Sequence, residues 1–101
     1  MIREVAKLEV NADQAEAFER ALPSVVPLFR RAEGCLDVAF HRSVEHPGRY
    51  WLIVEWRELD DHLVGFRQSA DFQEWRRIVG GFFRQPPEVE HLVEVSVEVG
   101  R

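Results

Sequence analysis

A second cysteine is missing from this chain of 101 residues, so Cys35 has no partner within the chain. No intrachain disulfide can form, which fits a reducing cytoplasm. A basic excess is missing as well. Lys and Arg number 13 against 18 Asp and Glu, a formal net charge of −5. That balance argues against nucleic acid, which needs a basic footprint, and against a polybasic membrane surface. The local pairs Arg30-Arg31 and Arg76-Arg77 fall towards the ends of expected helices, where cations complement the dipole. No apolar run approaches membrane-spanning length. The N-terminus, Met1-Ile2-Arg3-Glu4-Val5, has no apolar signal core. No glycine-rich phosphate loop or dinucleotide fingerprint is present. The four histidines lack ligand spacing, so no metal site is expected. No repeat or linker divides the chain, and its length bounds it to one domain over residues 1–101.

What is present is an ordinary globular composition, 46% hydrophobic and 31% charged. Seven Phe and three Trp exceed what so small a core needs. A second buried surface, such as a dimer interface, would use the surplus.

Ala6, Leu8 and Val10 alternate along one side of a first strand. Asn11-Ala12-Asp13-Gln14 reads as a capping box for the helix that follows. Phe18, Leu22, Val25 and Phe29 form its apolar stripe. Pro23 and Pro27 predict a kink or two helical pieces, since each removes a backbone donor. Gly34 supplies the stop. Leu36, Val38 and Phe40 share one face of a second strand, with Cys35, Asp37, Ala39 and His41 on the other. His46-Pro47-Gly48-Arg49 is the turn into a third strand, Tyr50 to Trp56, apolar on both faces. A strand buried on both sides needs covers on both sides. Helices can cover one side of a small sheet, and the other needs a partner.

Asp60 and Asp61 favour a helix start. Leu63 and Phe66 continue the stripe, and Ser69 caps a second piece carrying Phe72, Trp75 and Val79. Gly80-Gly81 ends it. After Pro86-Pro87, a last strand places Val89, His91, Val93, Val95, Val97 and Val99 on one face. Glu90, Glu94, Ser96 and Glu98 lie on the other, an acidic row that implies solvation. The order is β-α-β-β-α-β, the split ferredoxin-like α+β arrangement with an antiparallel sheet.

Ala32-Glu33-Gly34-Cys35-Leu36, Tyr50-Trp51, Glu55-Trp56, His62 and Ser69-Ala70-Asp71-Phe72 together resemble the antibiotic biosynthesis monooxygenase domain. The resemblance runs from Val5 to about Val93. It implies two ferredoxin-like domains paired sheet to sheet as a dimeric α+β barrel, hence a homodimer. It also implies oxidation of an anthrone- or quinol-type aromatic by molecular oxygen, with no cofactor. One branch of the family degrades haem, using an Asn, a Trp and a His that align with Ala6, Phe66 and Arg76. The axial ligand is therefore missing here, which weighs against haem. A non-catalytic dimer binding a small aromatic ligand, and an isomerase or cyclase on the same fold, are the alternatives.

The chemistry asks for an apolar pocket, a base and something to hold an anion. His62, one turn before Phe66, is the first candidate base because imidazole titrates near neutrality. The competing role is a structural histidine bonded to a carboxylate such as Asp60. His91, alone among valines, either projects into the cavity or pairs with a neighbour. Arg76 either stabilises a phenolate or is solvated. Trp56, Phe66, Phe72 and Trp75 form either an aromatic substrate wall or plain core. Cys35 reads as a packing residue rather than a nucleophile.

Overall fold

Period-two alternation sets β1 at Ile2–Glu9, and helical periodicity sets α1 at Ala15–Arg30. The computed structural model describes residues 1–98 and Gly100. After α1 come β2 (Cys35–Arg42) and β3 (Arg49–Trp56), then a π-helical turn over Asp61–Phe66. The chain continues through α2 (Ala70–Val79), a 3-10 turn (Gly80–Phe82) and β4 (Glu88–Leu92). The four strands form one open antiparallel sheet in the order β2-β3-β1-β4. This is the ferredoxin-like α+β fold that the element order implies.

The helices bury one face of that sheet. Ala6, Leu8, Tyr50, Leu52, Val54 and Trp56 meet Phe18, Val25, Phe29, Phe66 and Trp75 in a single core. Aromatic rings join the layers: Phe18 lies 4.8 Å from Tyr50, and Phe29 lies 4.7 Å from Phe66 and 5.3 Å from Trp75. Each such side chain contributes about 1.5–3 kcal/mol on burial. Arg31 grips Asp71 with two hydrogen bonds, 2.7 and 2.8 Å, tying the end of α1 to the first turn of α2. The opposite face carries Val5, Trp51 and Ile53, which pair across strands and remain only half-buried.

Several local expectations change. α1 is one uninterrupted run despite Pro23 and Pro27. Both prolines sit four apart on the exposed side, where water can reach the carbonyls they leave free. Asn11 makes no side-chain cap. The Gln14 backbone N–H donates instead to the Asn11 carbonyl in a 3-10 turn, at 2.9 Å. A β-bulge between Cys35 and Asp37 inserts Leu36 opposite no partner. Leu36 is therefore 56% exposed, while Cys35 packs against the core on the face expected for Leu36. Burial pushes the Cys35 thiol up, away from the thiolate.

The last strand is shorter than its pattern. β4 stops at Leu92, opposite Arg3, where β1 runs out. Val93, Val95 and Val97 continue the alternation but pair with nothing and are 68%, 78% and 73% exposed. Val99 lies outside the described residues. Other signals hold as read. Ser69 Oγ accepts from the Phe72 N–H at 3.1 Å. Gly34 and Gly48 adopt φ +83° and +85°. At Gly48 an added Cβ would stand 2.2 Å from the Val10 carbonyl oxygen, so the hairpin admits only glycine. Among the described residues, no helix is long and apolar enough to cross a membrane.

Candidate functional site

A cavity of about 720 Å³ opens between the sheet, the π turn, α2 and the segment leading to β4. Ala6, Leu8 and Leu52 form its floor, and Phe29, Phe66, Phe72, Trp75 and Phe83 line it with rings. Glu4, His62, Arg67, Arg76 and Arg84 supply its charge-capable groups.

The π turn positions His62. Its signature is the Arg67 N–H donating to the His62 carbonyl at 3.0 Å, five residues apart. His62 and Phe66 both point inward from this turn and are buried. The imidazole stacks on Trp56, with centroids 5.3 Å apart and planes 14° from parallel. Both ring nitrogens are engaged. His62 Nδ1 shares a hydrogen bond with His91 Nε2 at 2.8 Å, and Nε2 stands 3.4 Å from Glu4 Oε1. Trp56 Nε1–H donates to the same carboxyl oxygen at 2.9 Å. Sheet register makes this cluster: Glu4 lies opposite His91 on β4 and beside Val54 on β3.

Burial pushes both groups towards their neutral forms. Glu4, 3% exposed, is pushed up from 4.5 to about 7 by burial, partly opposed by the Trp56 hydrogen bond and the positive charge of Arg67. His62, also 3% exposed, is pushed down from 6.5 to about 4 by burial, with Arg67 and His91 adding to the effect. His91 is lowered by burial and by Arg67. Glu4 and His62 could instead exchange a proton to form a buried ion pair. We favour the neutral pair, because removing two charges from water costs several kcal/mol per ion and 3.4 Å is a loose contact.

Of the residues singled out from sequence, His62, Arg76, Phe66, Phe72 and Trp75 line the cavity. Trp56 lies behind His62, fully buried in the core. His91 reaches the cavity only through His62. Arg76 is exposed, with its guanidinium 6.0 Å from the Phe72 ring centroid. His62 finds Glu4 rather than Asp60 as its carboxyl neighbour. Glu4 and Arg67 were missed. Glu4 shares strand parity with Ala6 and Leu8, and an acid on an apolar face was the available signal. Nothing in sequence marks Arg67, because the π turn shifts the helical phase. Among the described residues, no three His, Cys, Asp or Glu side chains are arranged to hold a metal ion.

Comparison with known proteins gives a consistent result. The family described as antibiotic biosynthesis monooxygenase matches residues 1–78. A Bacillus subtilis protein, "Uncharacterized protein YczJ", is 34% identical over 95 residues, covering 94% of this chain and 100% of its own. A solved structure from Bordetella bronchiseptica, named "Putative antibiotic biosynthesis monooxygenase", superposes with TM-score 0.89 at 49% identity, covering 94% of this chain and 97% of that one. A structure of the same name from Caulobacter crescentus shares the fold, with TM-score 0.82 at 24% identity over 94% of this chain and 90% of that one. A match across most of its length, on a fold and cavity of this form, places the chain in the antibiotic biosynthesis monooxygenase family.

Proposed function

We propose that the protein is a cofactor-independent monooxygenase that oxidises a small aromatic of the anthrone or quinol type with molecular oxygen. The observation that carries this reading is the ring-lined cavity with a buried carboxyl and imidazole set into its wall. Its volume of about 720 Å³ falls within the range of roughly 300–1,000 Å³ of small-molecule sites.

The first step removes a ring hydroxyl proton of pKa about 10. Neutral His62, held near 4, would accept it uphill by about 8 kcal/mol. Glu4, near 7, accepts it uphill by about 4 kcal/mol and is about half ionised at neutrality. The proton-accepting role therefore moves to Glu4, and His62 becomes the residue that positions it. The substrate anion passes one electron to oxygen, leaving a substrate radical and superoxide. Their recombination forms one carbon–oxygen bond, and the peroxide takes up a proton. Loss of water then leaves a carbonyl. Substrate and O2 become quinone-type product and water, so no external reductant is consumed. Arg67 and Arg76 line the same space and offer positive charge to the anions.

The residues do not fit a haem. The position aligned with the family's axial histidine is Arg76, and both nitrogens of His62 are engaged.

The reading includes a cytoplasmic homodimer closed through the bare face of the sheet. Half-buried Val5, Trp51 and Ile53 on that face support it, as do the unpaired Val93, Val95 and Val97. Light scattering at micromolar protein tests it, and a clean monomer would remove it.

Oxygen uptake with a panel of anthrones and hydroquinones, in the presence of chelator, tests the activity. Enzyme-dependent uptake with quinone formation is expected. A second reading, a ligand-binding dimer without catalysis, is favoured by the complete engagement of His62 within the protein. Binding across the panel with no uptake would select it.

A further inference from the structure

The distribution of arginine partners is uneven. Arg3, Arg20, Arg31, Arg42, Arg49, Arg57 and Arg77 each lie within 4.0 Å of a carboxylate. Among the described residues, Arg30, Arg67, Arg76 and Arg84 have no such partner, and the last three all line the cavity. In a chain of net charge −5, acids are abundant, yet none is set against these cations. The cavity's own acid, Glu4, is 3% exposed, accepts from Trp56 and faces His62, and it stands within 4.0 Å of none of these arginines. A ring-lined space thus carries three guanidinium groups that no carboxylate of the described residues pairs with. A phenolate formed only during turnover would use one of these cations for a moment. It leaves the resting surplus without a role.

We propose that the ligand of this cavity is an aromatic carboxylate, its ring system against Phe66, Phe72 and Trp75 and its carboxylate held by Arg67, Arg76 and Arg84. This rests on the small-aromatic reading above and adds the acid group to it. Guanidinium suits the task because its planar donors match a carboxylate bidentately. Arg76 lies over the Phe72 ring, 6.0 Å from its centroid, which restrains the guanidinium beside the apolar wall. The positive charge of Arg67 is felt at Glu4, His62 and His91, so it stands on the side of the cavity where the ring hydroxyl would lose its proton. The selectivity is one of class: acids enter, and neutral analogues of the same shape bind more weakly.

The test is a matched pair, anthraquinone-2-carboxylate and anthraquinone-2-carboxamide, with binding read by calorimetry on the whole chain. The acid should bind at least about tenfold more tightly than the amide, a ratio equivalent to about 1.4 kcal/mol. Its affinity alone should fall as salt rises. R67Q, R76Q and R84Q, all exposed positions, should fold as wild type by circular dichroism. Combined, they should bring the ratio towards one, the acid losing more affinity than the amide. Equal affinity for acid and amide in the wild type, or a ratio that survives the triple substitution, overturns the proposal. Binding needs no turnover, so the two readings fail separately. Equal binding with oxygen uptake removes the carboxylate and leaves the monooxygenase. Acid preference with no uptake on an anthrone carboxylate supports the carboxylate and removes the monooxygenase.

Discussion

Replacing Glu4 by glutamine keeps the shape of a buried side chain and removes its ability to ionise. The oxygen that accepts from Trp56 Nε1–H at 2.9 Å is retained as an amide oxygen. In the native protein the folded pKa of Glu4 is raised from 4.5 to about 7, so the folded state holds this proton more tightly than the unfolded chain. Its stability contribution is complete below pH 4.5 and is lost as pH rises through about 7. The loss is about 1.4 kcal/mol per pH step, or about 3 kcal/mol in all. His62 works in the opposite direction. Its folded pKa is depressed from 6.5 to about 4, so its contribution is complete above pH 6.5 and is lost as pH falls through about 4. The two slopes oppose each other between pH 4.5 and 6.5, and wild-type stability should be nearly flat there. Without the Glu4 slope, E4Q should match wild type near pH 4.5 and exceed it by up to about 3 kcal/mol at about pH 8. Urea unfolding followed by tryptophan fluorescence, at fixed protein concentration, measures the gap. If E4Q is instead less stable at about pH 8 by roughly 3–5 kcal/mol, Glu4 and His62 form a charged pair and the neutral-cluster argument fails.

His62→Ala should cost about 2–4 kcal/mol in the same assay, because it opens a void beside Trp56 and strips His91 of its partner; unchanged stability would show that the stack holds nothing. Gly48→Ala should lower stability by at least about 2 kcal/mol, seen as a melting-temperature drop, since φ +85° and the Val10 carbonyl both exclude a methyl group. Ser69→Ala removes the cap of α2 and should cost about 1 kcal/mol, with weaker aromatic-ligand binding because Phe72 and Trp75 ride on that helix. Trp51→Glu on the bare sheet face should turn a light-scattering dimer into a folded monomer.

The element order was readable because alternation and helical stripes are written by burial, and burial formed the sheet and α1 much as the pattern implies. Two local departures share one cause, a change of phase that no composition rule marks. The bulge at Leu36 puts Cys35 in its place on the core face, while Val38 and Phe40 keep theirs. The π turn shifts the helical phase of the segment carrying His62. The prolines of α1 misled because their cost depends on which side of the helix they occupy, and both lie in solvent. His62, Phe66, Phe72, Trp75 and Arg76 were identifiable as neighbours on one stretch of chain. Glu4 reaches them through strand pairing across more than half the sequence, which spacing along the chain does not display.

The π turn over Asp61–Phe66 also makes chain length itself a variable of the site. A π turn holds one residue more than an α turn spanning the same rise. Deleting the exposed Gly65 would let the turn close to α-helix and shift what precedes it relative to Phe66. The contacts of His62 with Trp56 and Glu4 would change, while the sheet and both long helices kept their places. A single-codon deletion could therefore retire or redirect the chemistry without dismantling the fold. Sorting relatives by the length of this turn, before any comparison of residue types, should separate those that present an imidazole to the carboxyl of β1 from those that have put the cavity to another use.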